Sequence, residues 1–419
     1  MVTNQDKFSG SKPVSSNKFV QVIADFAEFI HRDDSLHTAL NHAIGESQQH
    51  HCGKEAMRVE SLQHMLQLMS EVLSQAPVWT NAEDGLIGCP LNVILRPIMN
   101  TTSGWTVLSR ADTNEHLRRI LETWSQYLVS EESTRCLSGR NGWCTPENLN
   151  ILGQEAQSAG EFGEFGEFAD IFVCPDPSNK STLGFRSWDD FFTRKFAPDI
   201  RPLAGGVTVE LHRAVLHPCE ASMYRYTTKV KLADRFWLKS QPYSIVDMLD
   251  KHWSALSFQD GSVYQAFLSA LSYHRWHAPI SGTVLSVKRI AGTYFAQAPW
   301  FAGMGGMPFS DDAPPNLSQA YLASVATRLL ILFDADCSSI GMVAFLAIGM
   351  AEVSSCQSLV VEGQHVTAGD EIGMFHYGGS SYCLLFQAGF QSSFIADRIR
   401  SQPQSTGNNT VKSLLAFLD

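Results

Sequence analysis

Val361-Glu362-Gly363-Gln364-His365-Val366-Thr367-Ala368-Gly369-Asp370-Glu371-Ile372-Gly373 is the stretch whose reading sets the fold class. Glycines at 363, 369 and 373, with apolar residues between them, read as tight turns linking short antiparallel strands. The same texture of short Val/Ile/Leu/Tyr runs broken by Gly, Pro and Asn begins after about Arg201. This half of the chain is therefore predicted to be mainly sheet, with helical stretches near Val263 to Leu271 and near Tyr321 to Leu330.

Upstream the period changes. Phe19, Val22, Ile23, Phe26, Phe29 and Ile30 recur at three- and four-residue intervals, the mark of an amphipathic helix. A His-rich linker follows, then a second helix with Met57, Leu62, Met65, Leu66, Met69, Val72 and Leu73 on one face, stopped by Pro77. A third covers roughly Asn114 to Val129, with Leu117, Ile120, Leu121, Trp124 and Leu128 inward. The expected fold is α+β: a disordered tail over 1–18, a helical N-terminal domain over 19–180, and a mainly antiparallel β domain with a few helices over 181–419. The Glu-Phe-Gly repeat from Glu161 to Phe168 is too short for a solenoid and reads as a loop insertion. Ser187-Trp188-Asp189-Asp190 reads as a capping box opening a helix that carries Phe191, Phe192 and Phe196 and is closed by Pro198.

Composition narrows the function. Thirty-one Lys plus Arg against 42 Asp plus Glu give a formal charge of −11, which argues against a protein that coats nucleic acid or anionic lipid. Nine scattered cysteines without a Cys-x-x-Cys pair argue against a disulfide framework and a structural zinc, and fit a reducing cytoplasm. The first 18 residues lack the apolar run of a secretory signal. The most apolar stretch, Ala320 to Val353, is broken by Arg328, Asp334 and Asp336, so no membrane anchor is expected. Biotinyl or lipoyl carrier domains share the turn pattern of residues 361–373 but need a lysine at the hairpin tip, and none lies between Val353 and Arg398. No Gly-rich phosphate loop or lysine context for pyridoxal phosphate is evident.

Four constellations bear on chemistry. Gly378-Gly379-Ser380-Ser381 precedes the strand-like Tyr382-Cys383-Leu384-Leu385-Phe386; such a string is ordinarily a turn, but it also lets a Ser Oγ bend against its own preceding carbonyl. Tyr273-His274-Arg275-Trp276-His277-Ala278-Pro279 sets two histidines three apart, which on a strand point to opposite faces. One then serves a site while the other packs or plays another part, and no third ligand at a convincing spacing makes a zinc site of them. His217-Pro218-Cys219-Glu220-Ala221 puts a carboxylate at a strand end. Gly292-Thr293-Tyr294-Phe295-Ala296-Gln297-Ala298-Pro299-Trp300 offers aromatics for a flat apolar group, although core packing is their commoner use.

Together, and in this order, these stretches resemble the phosphatidylserine decarboxylase superfamily of pyruvoyl enzymes. Its members carry Phe-Phe-x-Arg-x followed by Arg-Pro, as Phe191-Phe192-Thr193-Arg194-Lys195 and Arg201-Pro202 do here. They also carry a Tyr-His-Arg-x-His block, matched by Tyr273 to His277, and a Gly-Ser-Thr cleavage motif, here Gly379-Ser380-Ser381 with Ser replacing Thr. The chain is further similar to the fungal L-tryptophan decarboxylases of psilocybin biosynthesis across Met99 to Trp124, Gly292 to Pro299 and Gly373 to Ser381.

The resemblance implies a precursor that cuts itself between Gly379 and Ser380, leaving chains 1–379 and 380–419 associated and turning Ser380 into a covalent pyruvoyl group. His274 or His277 would be the base that activates the serine, and Glu220 its orienting acid, in place of the family's usual Asp. Ser381 is the fallback nucleophile. Tyr294 and Phe295, with Trp276, are the candidate substrate-binding aromatics. The implied reaction is decarboxylation of a free aromatic L-amino acid, tryptophan to tryptamine, with neither pyridoxal phosphate nor metal. The alternative is phosphatidylserine decarboxylation. A non-catalytic binding protein and a zinc peptidase using His274 and His277 complete the field. The helical block would either guard the pocket or pair subunits into a homodimer.

Overall fold

The computed structural model describes residues 17–49, 58–80, 88–158, 166–206, 210–234, 243–296, 319–352, 355–377, 380–390 and 408–418. Met57, most of the tail, most of the Glu-Phe-Gly repeat, Gln297 to Trp300, and Gly378 with Gly379 lie outside the described residues.

The first third is helical: α1 (Asn17–Arg32), α2 (Asp34–Gln49), α3 (Leu62–Val72), α4 (Pro90–Met99), α5 (Thr102–Leu108) and α6 (Ala111–Leu128), followed by α7 (Pro146–Ser158) and the short α8 (Phe168–Ile171) and α9 (Trp188–Phe192). The apolar stripes read from the sequence face inward: Ile23, Phe26 and Ile30 on α1, and Leu117, Ile120, Trp124 and Leu128 on α6, are all buried. The segment read as a His-rich linker is largely α2. Its stripe of Leu36, Leu40, Ala43 and Ile44 is buried, while half-buried His37 and exposed Asn41 and His42 dilute the period. Asp33 starts it, accepting the Ser35 and Leu36 backbone N–H groups at 3.0 Å. Ser187 caps α9 through the Asp190 N–H at 3.0 Å, but the helix ends at Phe192. Phe196 lies beyond it in a bridge to Phe172.

The sheet half holds β1 (Ala214–Leu216), β2 (Ser222–Thr228), β3 (Ser262–Leu268), β4 (Arg275–His277), β5 (Gly282–Ile290), β6 (Arg328–Ala335), β7 (Met342–Gly349), β8 (Ser355–Ser358), β9 (His365–Val366), β10 (Glu371–His376), β11 (Ser380–Phe386) and β12 (Leu414–Phe417), with α10 (Ile245–Met248) and α11 (Gln319–Val325) between strands. One antiparallel sheet runs β2-β3-β11-β7-β6-β5-β9, a smaller one β4-β10-β8, and β1 pairs with β12. Val263 to Leu268, expected as helix, is instead β3. It is a strand buried on both faces, so its near-continuous apolar run carries no alternation to distinguish it from a buried helix. The helix expected up to Leu330 stops at Val325, and β6 takes over at Arg328.

Side-chain alternation divides β11 between two cores. Tyr382, Leu384 and Phe386 join Trp276, Phe345 and Phe375 in the layer between the large and small sheets. Cys383 and Leu385 join Ile245, Phe258 and Leu322 on the other face.

Candidate active site

Ser380 is the first residue of β11, a central strand of the large sheet. It pairs with Leu268 of β3 and Gly349 of β7, and its side chain is fully buried. By alternation it shares the face of Tyr382, the face on which the small sheet packs. Among the described residues its Oγ has no hydrogen-bond partner. A buried hydroxyl left without a partner is costly, a state Ser380 shares with Ser262 and Ser324 among the described residues. Ser381 faces the opposite core, where its Oγ accepts a hydrogen bond from Gln265 Nε2 at 3.1 Å. Gln265 is itself held by Tyr243 Oη at 2.7 Å and donates to the Gln319 carbonyl at 2.9 Å. Tyr377, just ahead of the two glycines, has φ of +67°, a left-handed conformation unfavourable for a bulky residue.

The histidine block lies along the neighbouring small sheet. The His274 carbonyl accepts the Phe375 N–H at 2.9 Å, which sets His274 beside the end of β10, the strand leading to Ser380. Its ring is fully buried and stacked on Phe192 with centroids 4.0 Å apart. His277 differs. Its Nδ1 lies 2.8 Å from the Gly369 carbonyl, which only accepts, so Nδ1 carries the proton. Tyr273 Oη then donates to Nε2 at 3.1 Å. Burial pushes the His277 imidazole down to about 4, keeping it neutral at physiological pH. Trp276 is packed between Phe345 and Phe375, with centroids 5.4 and 4.7 Å away, inside the core between the sheets.

Glu220 follows β1, close to the histidine block: the Pro218 carbonyl accepts the His277 N–H at 2.8 Å. Its carboxylate is bound by Arg201 at 2.5 and 3.1 Å and by the Val411 N–H at 2.8 Å. The structure thus brings Glu220 together with Arg201, while His277 is oriented by Gly369 and Tyr273. Arg201, Tyr273 and Gly369 all lie in the quoted motifs, yet no spacing rule joins them because their partners come from distant segments.

The helical block lies over the Ser380 end of the sheet. Across that end, Ser380 pairs with Gly349, whose N–H donates to Thr327 at 2.9 Å, and the Thr327 N–H donates to Thr293 at 3.0 Å. Beyond it, the Tyr294 N–H donates to Asn114 Oδ1 of α6 at 2.9 Å. Phe295 and Tyr377 belong to the same buried cluster as the helices, and Trp124 of α6 sits 6.3 Å from the Tyr377 ring. His376 is fixed between Asp189 of α9 at 2.7 Å and Gln357 of β8 at 2.8 Å. The same helix thereby supports the His274 ring and the strand that leads to Ser380. Among the described residues, no helix is long and apolar enough to cross a membrane.

A family model described as phosphatidylserine decarboxylase matches residues 188–411, and a second of the same description matches 20–152. The chain is 39% identical over 306 residues to "Decarboxylase iboD" of Amanita muscaria, covering 71% of this chain and 84% of that protein. It is 33% identical over 384 residues to the "L-tryptophan decarboxylase" of Psilocybe cubensis, covering 88% and 81%. A "Phosphatidylserine decarboxylase proenzyme 3" of Schizosaccharomyces pombe is 27% identical over 218 residues, 52% of this chain and 20% of that protein. With both halves matched by family models and two relatives 33–39% identical over more than two thirds of either chain, the chain is a decarboxylase of the phosphatidylserine decarboxylase family.

Proposed function

We propose that the protein is a self-processing, pyruvoyl-dependent decarboxylase of free aromatic L-amino acids, converting L-tryptophan to tryptamine in the cytoplasm. The observation that carries the self-processing is Ser380, whose buried Oγ is unpartnered at the start of a central strand, just after two glycines. In the proposed cut, the Ser380 Oγ attacks the Gly379 carbonyl carbon, and the acyl group moves from nitrogen to oxygen. A base then removes the Ser380 α-proton and the Gly379 carboxylate leaves from the β-carbon. Hydrolysis of the resulting enamine, through its imine, releases ammonia and leaves the pyruvoyl end. That group supplies a carbonyl that condenses with a substrate amine and takes up the electron pair left as carbon dioxide departs.

Neutral His277, with its proton fixed on Nδ1, offers Nε2 as an acceptor that Tyr273 Oη already engages, and His274 stands beside the strand that leads to the cut; these two are the proposed acid–base groups. Glu220 is proposed to act through Arg201 and the backbone near Val411, keeping the histidine block in register. Tyr294 and Phe295 line the proposed aromatic side of the site, while Trp276 supports it from the core.

The tryptophan reading draws on the relatives named L-tryptophan decarboxylase and on the aromatics at the helical interface. Intact mass together with hydroxylamine trapping tests the self-cleavage. Carbon dioxide release from tryptophan, other free amino acids and phosphatidylserine vesicles tests the substrate. Release from vesicles alone overturns the amino-acid reading, and an uncut, active chain overturns the pyruvoyl reading.

A further inference from the structure

Glu352 is a buried carboxylate that none of the motifs contains. It follows β7 by three residues, and β7 ends at Gly349, directly opposite Ser380. Three residues reach roughly 10 Å at full extension, so Glu352 stays at the Ser380 end of the sheet. The preceding Ala351 N–H donates to the Tyr294 carbonyl at 3.0 Å, which ties this segment to the aromatic loop. Glu352 is only 1% exposed. One oxygen, Oε1, accepts the Asn92 N–H at 2.6 Å in the first turn of α4, a helix whose N-cap Cys89 supplies no side-chain bond. The other, Oε2, is buried with no partner among the described residues.

Capping α4 needs one oxygen and accounts for Oε1. It gives no reason for a second, unpaired oxygen, and a lone buried charge is among the costliest features a core can keep. The groups facing Glu352 from the packed elements are the backbone N–H groups of Leu91 and Asn92 on α4 and its own backbone N–H; among the described residues no cation is paired with it. Burial outweighs these hydrogen bonds and raises its carboxyl to about 7, where it exchanges a proton readily near neutral pH.

We infer that Glu352 is a further residue of the active site, its free Oε2 receiving the α-ammonium group of the substrate. This rests on the self-processing amine-decarboxylase reading above. The step moves one proton: an N–H bond of the ammonium breaks, an O–H bond forms at Oε2, and the freed nitrogen lone pair can attack a carbonyl. No redox partner is needed.

The test compares the matured wild-type protein with Glu352→Gln, which keeps an oxygen for the Asn92 N–H but cannot take up the proton. Self-cleavage by intact mass and carbonyl content by hydroxylamine are recorded first, so a failure of processing is seen separately. Calorimetric affinities are then measured for tryptamine, which carries the ammonium, and indole-3-propionate, which does not. Glu352→Gln is expected to weaken tryptamine by about tenfold or more, the size of a hydrogen bond to a charged group, and to leave indole-3-propionate within about twofold. Equal effects on both ligands, or on neither, overturn the assignment. If wild type binds neither, the aromatic reading fails, and phosphatidylserine against phosphatidylglycerol vesicles makes the same ammonium comparison. Should Glu352→Gln not fold, Glu352→Asp keeps the charge one methylene short; an undiminished tryptamine preference there overturns the assignment, and a reduced one supports it.

Discussion

Arg201 grips the Glu220 carboxylate through Nη2 and Nε at 2.5 and 3.1 Å, with both side chains almost wholly sealed from solvent. Arg201 Nη2 also donates to the Ala156 carbonyl of α7 at 2.7 Å, and Glu220 Oε2 accepts from Val411 at 2.8 Å. One ion pair therefore joins the helical block, the turn after β1 and the segment leading into β12. Removing one partner of such a pair strands a buried charge, at a cost of about 3–5 kcal/mol. Arg201→Met is expected to lower the unfolding free energy by that order in denaturant titration. Arg201→Met with Glu220→Gln should lose less than the single change. A single variant as stable as wild type would remove the pair from the scaffold.

The cut proposed before Ser380 would leave β11 and β12 on the short chain. β11 is hydrogen-bonded on both sides, to β3 and β7, and β12 pairs with β1. A chain so woven in cannot leave without breaking three ladders. Matured protein should therefore elute as a single species containing both fragments in native buffer, and release the short chain only in denaturant. Separation on dilution alone contradicts this.

Ser380 and Ser381 are adjacent in sequence yet face different cores. Ser381 is tied into the buried Tyr243–Gln265–Gln319 network, whereas the Ser380 Oγ is unpartnered on the side of the histidine block. Ser380→Ala is expected to abolish cleavage in intact-mass spectra. Ser381→Ala, which loses one buried hydrogen bond, should still cleave and lose about 1 kcal/mol of stability. Cleavage surviving in Ser380→Ala and lost in Ser381→Ala reverses the assignment.

Much of this architecture was legible in the residues because local chemistry specifies it. The stripes of α1 and α6, the Ser187 cap and the Gly363 and Gly369 turns each follow from a few neighbouring side chains, whereas Gly373, read as a third turn, lies inside β10, where a Cβ would meet the Trp276 ring and the Gln357 carbonyl. β3 was misread because a strand buried on both faces has no alternation to read. The Glu220 partner was missed for another reason. Arg201 is quoted only as half of an Arg-Pro motif, and nothing in a linear spacing says that a buried carboxylate will find a guanidinium first. Glu352 was invisible outright, since its significance arises only when the end of β7 meets the first turn of α4, 260 residues away in sequence.

Asn114 offers a test of how the helical block shapes the site. Its Nδ2 donates to the Leu108 and Arg110 carbonyls at 2.7 and 2.8 Å, while Oδ1 holds the Tyr294 N–H at 2.9 Å. Asn114→Ala removes all three bonds and leaves the Tyr294 N–H without its acceptor. The expected loss is about 2–3 kcal/mol of stability, from the missing bonds and the orphaned backbone groups. KM for the best substrate should rise more than kcat falls, because the loop carrying Tyr294 and Phe295 is loosened while Ser380 is untouched. A fall in kcat alone would separate this loop from substrate binding.

His277 and Glu352 impose opposite pH dependences on stability over nearly the same range. His277 falls from 6.5 unfolded to about 4 folded, so the unfolded chain binds the extra proton between those values and stability drops as pH falls through that window. Glu352 rises from 4.5 to about 7, so the folded chain holds the extra proton and stability drops as pH rises from 4.5 through 7. At about 1.4 kcal/mol per unit each contributes on the order of 3 kcal/mol, and the two slopes largely offset each other between pH 4.5 and 6.5. Their variants should therefore separate them. Glu352→Gln removes the loss at high pH, so in urea titrations its stability should rise relative to wild type on going from pH 5 to pH 8. His277→Gln should do the reverse, losing the destabilisation at pH 4.5 that wild type carries. Parallel profiles for wild type and Glu352→Gln would show that the carboxyl of Glu352 titrates in the folded protein as it does in the open chain, and its burial would then carry no energetic consequence.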